Sequence, residues 1–542
     1  MSTLEHGYLP DDPLFVRLLW IASQCHEPIL NDRLRGVQVD FPTLLRDILV
    51  FRQKIRDALS PDVIDENGMV ARDGVYIGLL ATASHEYIVA VFAIAALGAA
   101  IAPLPPGIST EETLGYINLC GASVVLVGPE SENAAAEIQE HSRINESQPI
   151  QTLFLSKWSA SQEQLETPTA TIQPGLKFDN ERPGLLLFTS GSTGAPKAVI
   201  HARRYLYSLT RLPPRVGKGE VHLCVAELVS FTSGFHQAFS GLLRGTRIEM
   251  YHFATRPELL WNRLKEGDVT TVCLITRMWW DMMVYYQKVI CQLPQNQAQE
   301  YVQGVRHLRA PQSAAAMPPP LLKRFWKELL GKSLLVTFGT TESGVIFLSS
   351  DEESGRPEAN VGKPAPYVTI KLTEGDRGEL WVKNSTLMLG YMGKEKQDQD
   401  IFDEEGFYCT NDVFHRDGDS YVWDGRAKSG WIWFEGHPVL LKSIEDQLLE
   451  LPYVEQGHVL ALWGGTTHQV AALVRFQPEK VPKNESKALN TVRQDLSGKL
   501  PETHLPTVLR ILHDGEDVRQ TWTMKTALDD KEVQRFFPSS SV

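Results

Sequence analysis

The stretch LLLFTSGSTGAPKAVIH, Leu185 to His201, decides how the chain is to be read. Residues 185–188 form the apolar run of a buried strand. Thr189, Ser190, Gly191, Ser192, Thr193 and Gly194 then offer hydroxyls and backbone N–H groups. The glycines let the backbone approach an oxyanion closely. Lys197, after Pro196, adds a mobile point charge. Together they predict a strand feeding a loop that cradles phosphate. It is not a P-loop, G-x-x-x-x-G-K-[ST], because Pro196 precedes the lysine and Ala198 follows it. A dinucleotide fingerprint needs G-x-G-x-x-G, and only Gly191 and Gly194 are present.

The rest of the chain narrows the chemistry. Its 542 residues are too many for one core and predict two or more domains. The net charge of −13 argues against a nucleic-acid or anionic-membrane binder, so local cations must hold an anionic substrate. Cys25, Cys120, Cys224, Cys273, Cys291 and Cys409 are scattered with no C-x-x-C pair. Neither a zinc site nor a disulfide framework is indicated, which fits a reduced, cytoplasmic setting. MSTLEHGYLPDD at the start lacks the apolar core of a signal peptide, and FFPSSSV at the end is not a peroxisomal address. Residues 87–104, YIVAVFAIAALGAAIAPL, are eighteen uncharged residues, at the lower limit for a membrane span. Rich in Ala and Gly, and preceded by His85 and Glu86, they read instead as a buried helix running into a strand.

Residues 14–60 read as helical, with apolar spacing in FPTLLRDILVFRQKIRDAL (41–59). Short apolar runs at 75–80 and 121–128 read as strands. This alternation predicts an α/β architecture with parallel sheets. Residues 129–183 are polar and read as an irregular surface excursion. Near residue 424 the character changes: GDSYVWDGRAKSG is turn-rich and polar, then a helix (440–451) and a strand (458–462) follow. A domain boundary is expected there.

T-S-G-S-T-G-A-P-K, residues 189–197, resembles the signature of the adenylate-forming superfamily: acyl-CoA synthetases, peptide-synthetase adenylation domains and beetle luciferases. Further blocks follow in the superfamily's order. Phe338-Gly339-Thr340-Thr341-Glu342 resembles its aromatic-Gly-x-Thr-Glu motif. Gly378-Glu379-Leu380-Trp381-Val382 and Gly390-Tyr391 resemble the next block, and Tyr408-Cys409-Thr410-Asn411-Asp412 resembles Y-x-T-G-D. Gly425-Arg426 resembles the hinge Gly-Arg, and Thr523-Met524-Lys525-Thr526 stands where the superfamily has T-G-K.

The resemblance implies a large N-terminal AMP-binding domain, 1–425, of layered sheets and helices with a β-barrel-like subdomain. A small mobile α+β C-terminal domain, 426–542, would carry the adenylation lysine. It also implies roles. The 189–194 loop and Lys197 would hold the β- and γ-phosphates of ATP. Thr341 would touch the adenylate phosphate beside Phe338, Gly339 and Thr340, and Glu342 would bind Mg²⁺. Asp412 would accept the ribose hydroxyls, with Arg426 reaching the nucleotide and Ala315 flanking adenine. Lys525 would bridge the substrate carboxylate and ATP. After adenylation the C-terminal domain would rotate and admit an acceptor, often coenzyme A.

Several positions depart from the pattern. Lys428 stands where an acid is usual, and Gly430–Gly436 lacks the usual lysine of the thiol-receiving loop. Asn411 replaces a glycine but can adopt the left-handed conformation. Ser313-Ala314-Ala315-Ala316 replaces Gly-Gly-Ala, and its methyls would narrow the pocket. No aspartate lies between Val229 and Gly241, which disfavours an α-amino acid. Phe231, Phe235 and His236 point to an aryl or compact apolar acid, or else to core packing. Arg277 is a candidate partner for a second carboxylate, or a structural arginine. The expectation is an ATP- and Mg²⁺-dependent acid–CoA ligase. Its alternatives are transfer of the acyl group to an amine or a carrier-protein thiol, and a nucleotide-binding protein without turnover.

Overall fold

The computed structural model describes residues 7–144, 150–157, 169–189, 197–225, 232–251, 255–350, 359–393, 401–427, 431–434, 437–463, 468–513, 515–516, 518 and 530–538. It is a mixed α/β protein in which two large sheets carry the N-terminal part. The first sheet runs, edge to edge, Gly390–Tyr391, Lys197–Ala202, Pro183–Thr189, Ala100–Pro103, Tyr76–Leu80, Val124–Val127 and Gln151–Phe154. Its central strands are parallel, and their Val, Ile and Leu runs are buried on both faces, as helix-covered parallel strands must be.

The apolar run at 87–104 becomes the helix His85–Leu97 and the strand Ala100–Pro103. Ser84 caps the helix through its Oγ on the Tyr87 N–H, and Gly98, at φ 79°, ends it. Every residue of this helix but Glu86 is buried, so its uniform apolarity is a core signal. Among the described residues no helix is long and apolar enough to cross a membrane.

Two expectations need correction. Residues 14–60 hold two helices, Pro13–Gln24 and Phe41–Ala58, each capped by an aspartate ahead of a proline. Between them lie the paired strands Leu30–Asp32 and Val37–Val39. Nor is 129–183 only irregular. The helix Glu132–Ile144 leads to Gln151–Phe154, which extends the first sheet in parallel beside Val124–Val127. Both are weakly apolar edge elements: the helix turns Ala135 and Ile138 inward, and the strand is a polar edge.

The second sheet has thirteen strands. Five neighbouring strands, Leu30–Asp32, Arg247–Met250, Val221–Cys224, Thr271–Ile275 and Ala310–Ala314, are parallel, and Leu335–Thr340 joins them in parallel. From Leu335–Thr340 onward the pairing turns antiparallel, through Gly344–Leu348, Asn360–Pro364, Ser420–Arg426, Tyr408–Asp417, Arg377–Asn384 and Val368–Leu372. The segment read as turn-rich near 424 is thus mostly strand. Its Tyr421, Trp423 and Val422 carry the β preference that Asp and Gly mask.

Beyond it, Val454–Trp463, His468–Phe476 and Val508–Ile511 form a three-stranded sheet with the helices Leu441–Leu449 and Glu485–Leu496. Their buried residues form a cluster of their own. Lys288 Nζ reaches Glu455 Oε1 at 2.9 Å, and Arg324 pairs with Glu450, tying this unit to the helices Thr276–Lys288 and Pro320–Leu330.

Candidate active site

Pro183–Thr189 and Lys197–Ala202 pair antiparallel, with Thr189 opposite Lys197. The Thr189 hydroxyl donates to the Lys197 carbonyl at 3.4 Å. The ends of the phosphate-loop segment are therefore clamped together. Ser190, Gly191, Ser192, Thr193 and Gly194 lie outside the described residues, as do Phe231, Lys428 and Lys525.

Phe338 to Glu342 close a hairpin between Leu335–Thr340 and Gly344–Leu348. Phe338 sits edge-on to Phe414, with centroids 5.1 Å apart. Gly339 is required by packing: a Cβ there would stand 2.2 Å from the Gly344 carbonyl oxygen. The Thr340 and Ser343 hydroxyls are 2.9 Å apart, and the Ser343 N–H donates to Thr340 Oγ1. The next three carbonyls are each held from outside. His201 Nε2 meets the Thr341 carbonyl at 2.9 Å. The Met388 N–H donates to the Glu342 carbonyl at 2.8 Å. The Ser343 carbonyl accepts from Asn384 Nδ2 and Thr386 Oγ1.

His201 is fully buried, and its Nδ1 faces the Thr386 carbonyl at 3.2 Å. Burial pushes its pKa down to about 4, so the ring is neutral at pH 7. It then has one N–H to give to one of these two carbonyls.

The Glu342 side chain accepts from the Tyr391 hydroxyl at 2.8 Å. The Lys197 ammonium stands 4.9 Å from the Tyr391 ring centroid, within cation–π range. Tyr408 is hydrogen-bonded to Tyr391. Burial, then the nearby Glu342 charge, push the Tyr408 pKa well up, so it stays protonated. Further along the same strand, Asp412 is buried opposite Arg426. Its Oδ1 accepts from Trp423 Nε1 at 3.0 Å and from Arg426 Nε at 3.2 Å. Asn411, beside it, has φ 57°, the left-handed conformation of the glycine it replaces.

Lys197 and Glu342 thus contact Tyr391, Arg426 lies near Tyr408, Thr341 precedes Glu342, and Asp412 pairs with Arg426. Sequence reading passed over His201, Tyr408 and Trp423 as individual residues and took Tyr391 only as part of a block. His201 lay inside the diagnostic stretch, and a histidine at a strand end was the available signal. Trp423 was hidden by the turn-like residues around it.

The acyl-pocket candidates are placed less uniformly. Phe235 is core: it is fully buried, 4.5 Å from Phe239 and 6.4 Å from Tyr205 between centroids. His236, on the same helix Thr232–Leu242, has its pKa pushed down to about 4 by burial and then by Arg211 and Arg244. Ala314 ends its strand, buried, and Ala315 follows at φ 71°. That conformation strains any residue with a Cβ. Arg277 is engaged by Asp281, one helical turn on, at 2.9 and 3.1 Å.

Among the described residues no three metal-ligating side chains cluster. A lone carboxylate suits Mg²⁺, which keeps several waters and completes its shell with substrate phosphates. Glu342 is a single carboxylate on the 335–348 hairpin, hydrogen-bonded to Tyr391.

The family model for AMP-binding enzymes matches residues 67–392, more than half of the chain. An acyl-CoA ligase of Aspergillus oryzae, oryP, is 35% identical over 98% of this chain and 93% of its own. A malonate–CoA ligase of Arabidopsis thaliana is 25% identical over 82% of this chain and 76% of its own. Among solved structures, the anthranilate CoA ligase AuaEII with anthranoyl-AMP has a TM-score of 0.77 at 19% identity, covering 96% of both chains. ATP-bound MatB from Rhodopseudomonas palustris has a TM-score of 0.74 at 18% identity, covering 94% of this chain and 96% of its own. The chain belongs to the family of AMP-binding, adenylate-forming enzymes.

Proposed function

We infer that the protein is an AMP-forming acid–CoA ligase acting on a carboxylic acid without an α-amino group. The observation that carries this is the convergence of Lys197, Glu342 and the Asp412–Arg426 pair through Tyr391 and Tyr408. The near-full-length likeness to an acyl-CoA ligase supports it.

A carboxylate is a poor electrophile. One of its oxygens attacks the α-phosphorus of ATP, the bond to the β-phosphate oxygen breaks, and pyrophosphate leaves. The acyl-adenylate then carries a good leaving group. Attack by the thiol of coenzyme A on the acyl carbon forms the thioester, releasing AMP and one proton.

The first step sets an anion against a polyanion, so the site must neutralise charge. Lys197 and the 189–194 loop hold the departing β- and γ-phosphates. Asp412, steadied by Arg426, takes the ribose hydroxyls, and Thr341 lies beside the α-phosphate. Ala315 lies at the adenine edge. When bound at Glu342, Mg²⁺ supplies further positive charge to the phosphates. Lys525 completes the site from a C-terminal domain of residues 426–542, whose rotation removes it before the thiol enters.

For the acid itself, the sequence 229–241 offers no aspartate to an α-ammonium, and Arg277 is already engaged by Asp281. We take the acid to be a compact or aryl monocarboxylic acid, the class that Phe231, His236 and Ala314 suggest in the sequence. The test supplies ATP, Mg²⁺ and a panel of such acids, with hydroxylamine or coenzyme A as acceptor. Hydroxamate formation establishes the adenylate, and AMP release that depends on coenzyme A establishes the acceptor. AMP release that responds to amines or a carrier protein, and not to coenzyme A, overturns the thioester step.

A further inference from the structure

Lys197 and Glu342 carry opposite charges on neighbouring elements, and Tyr391 touches both. The ammonium lies against the ring at 4.9 Å from its centroid, and the carboxylate accepts the phenol proton at 2.8 Å. Without that ring the two charges would be free to approach and pair. A direct Lys–Glu pair would neutralise both the cation meant for phosphate and the carboxylate meant for metal.

Tyr391 is well placed to prevent this. Its strand, Gly390–Tyr391, pairs antiparallel with the lysine's own strand, Tyr391 opposite Val199. The Leu389 and Met392 N–H groups donate to the Ile200 and Ala198 carbonyls at 2.7 and 2.9 Å. The Met388 N–H holds the Glu342 carbonyl, so one short segment grips both neighbours. Tyr408 bonds to the same hydroxyl and ties it to the strand that carries Asp412. The quadrupole of the ring attracts the ammonium without neutralising it, and the hydroxyl orients one carboxylate oxygen by a charge-assisted bond.

We propose that Tyr391 is a positioning residue that keeps Lys197 and Glu342 apart and holds the Glu342 carboxylate ready for a divalent cation. This rests on the reading of Glu342 and Lys197 given above. In a ring-deleted site the two would pair, and each would have to be pulled free before a nucleotide could bind.

The test measures ATP binding by calorimetry with and without Mg²⁺, and acid-dependent pyrophosphate exchange against Mg²⁺ concentration. Tyr391→Phe keeps the ring and removes only the hydroxyl. Its metal-free ATP affinity should stay within about twofold of wild type, while its Mg²⁺ requirement rises about tenfold, the effect of one lost bond to a charged group. Tyr391→Leu should also lose about tenfold in metal-free ATP affinity. Adding Glu342→Gln should restore that affinity, because the competing carboxylate is gone. A wild-type Mg²⁺ response in Tyr391→Phe, beside a shifted response in Glu342→Gln, overturns the role of Tyr391 alone. A Tyr391→Leu defect that Glu342→Gln leaves unrepaired overturns the spacer. An unshifted Mg²⁺ response in Glu342→Gln itself removes the metal role of Glu342, and the proposal falls with it.

Discussion

Trp423 donates its indole N–H to Oδ1 of Asp412 at 3.0 Å, the same oxygen that Arg426 Nε approaches at 3.2 Å. Two donors on one oxygen orient a buried carboxylate that we propose meets a ribose. Trp423→Phe keeps the ring and deletes one donor. The KM for ATP should rise about tenfold with a smaller change in kcat, as expected for a bond that orients a charged group. Discrimination between ATP and its 2′- or 3′-deoxy forms should fall. A KM equal to wild type would show that Asp412 needs no such support.

His201 joins the Thr341 and Thr386 carbonyls inside the core. His201→Phe fills the same space but offers no N–H, so the carbonyl that the ring serves loses its donor. The cost should be about 1–3 kcal/mol, seen as a lower melting temperature. Because Thr341 precedes Glu342, pyrophosphate exchange should slow as well. His201→Gln, which keeps an N–H donor, should recover part of both. Equal behaviour of the two variants would make the contact one of shape alone.

Gly339 and Ala315 should respond in opposite directions. At Gly339 a methyl would meet the Gly344 carbonyl oxygen at 2.2 Å, so Gly339→Ala must open the hairpin that carries Glu342. A loss of at least about 2 kcal/mol and near-complete loss of adenylation are expected. Ala315 holds φ 71° with a Cβ attached, so Ala315→Gly should stabilise by roughly 0.5–1 kcal/mol. Thermal melts of the two variants check both signs.

Buried histidines give stability a pH dependence. Burial pushes the pKa of His222 down from 6.5 to about 4, and its Nδ1 is 2.9 Å from Thr271 Oγ1. Between those values the unfolded chain takes up a proton that the folded chain refuses. Its stability contribution is therefore complete above pH 6.5 and is lost as the pH falls toward 4, by up to about 1.4 kcal/mol per pH unit. Melting temperature should fall steadily from pH 7 to 5. His222→Gln should flatten that slope; an unchanged slope would show that this histidine does not contribute.

Much of this was legible in the chain itself. The apolar runs at 75–80, 121–128 and 185–188, and the end of 87–104, read as strands and are strands at 76–80, 124–127, 183–189 and 100–103, because parallel strands covered on both faces favour apolar runs. Edge elements such as Gln151–Phe154 carry no such signal, and they were missed. Motif residues stand out in the chain because a family signature carries them. Their contacts do not: a tyrosine touching two charged side chains, a histidine between two carbonyls and a tryptophan on a carboxylate act by tertiary contact alone. Tyr391 and Glu342 are 49 residues apart in sequence, and nothing local marks them as partners. Phe235, read as pocket or core, packs in the core: an aromatic residue looks the same in sequence in either place.

The most direct measurement follows the phosphorus. ATP labelled at the α-phosphate, given with Mg²⁺, an accepted acid and coenzyme A, should yield labelled AMP and unlabelled pyrophosphate in step with thioester. Lys197→Ala and Glu342→Gln should each slow that release by at least about tenfold. Labelled ADP in place of AMP, or AMP release indifferent to both residues, would contradict an adenylate-forming site built around Lys197, Glu342 and Asp412.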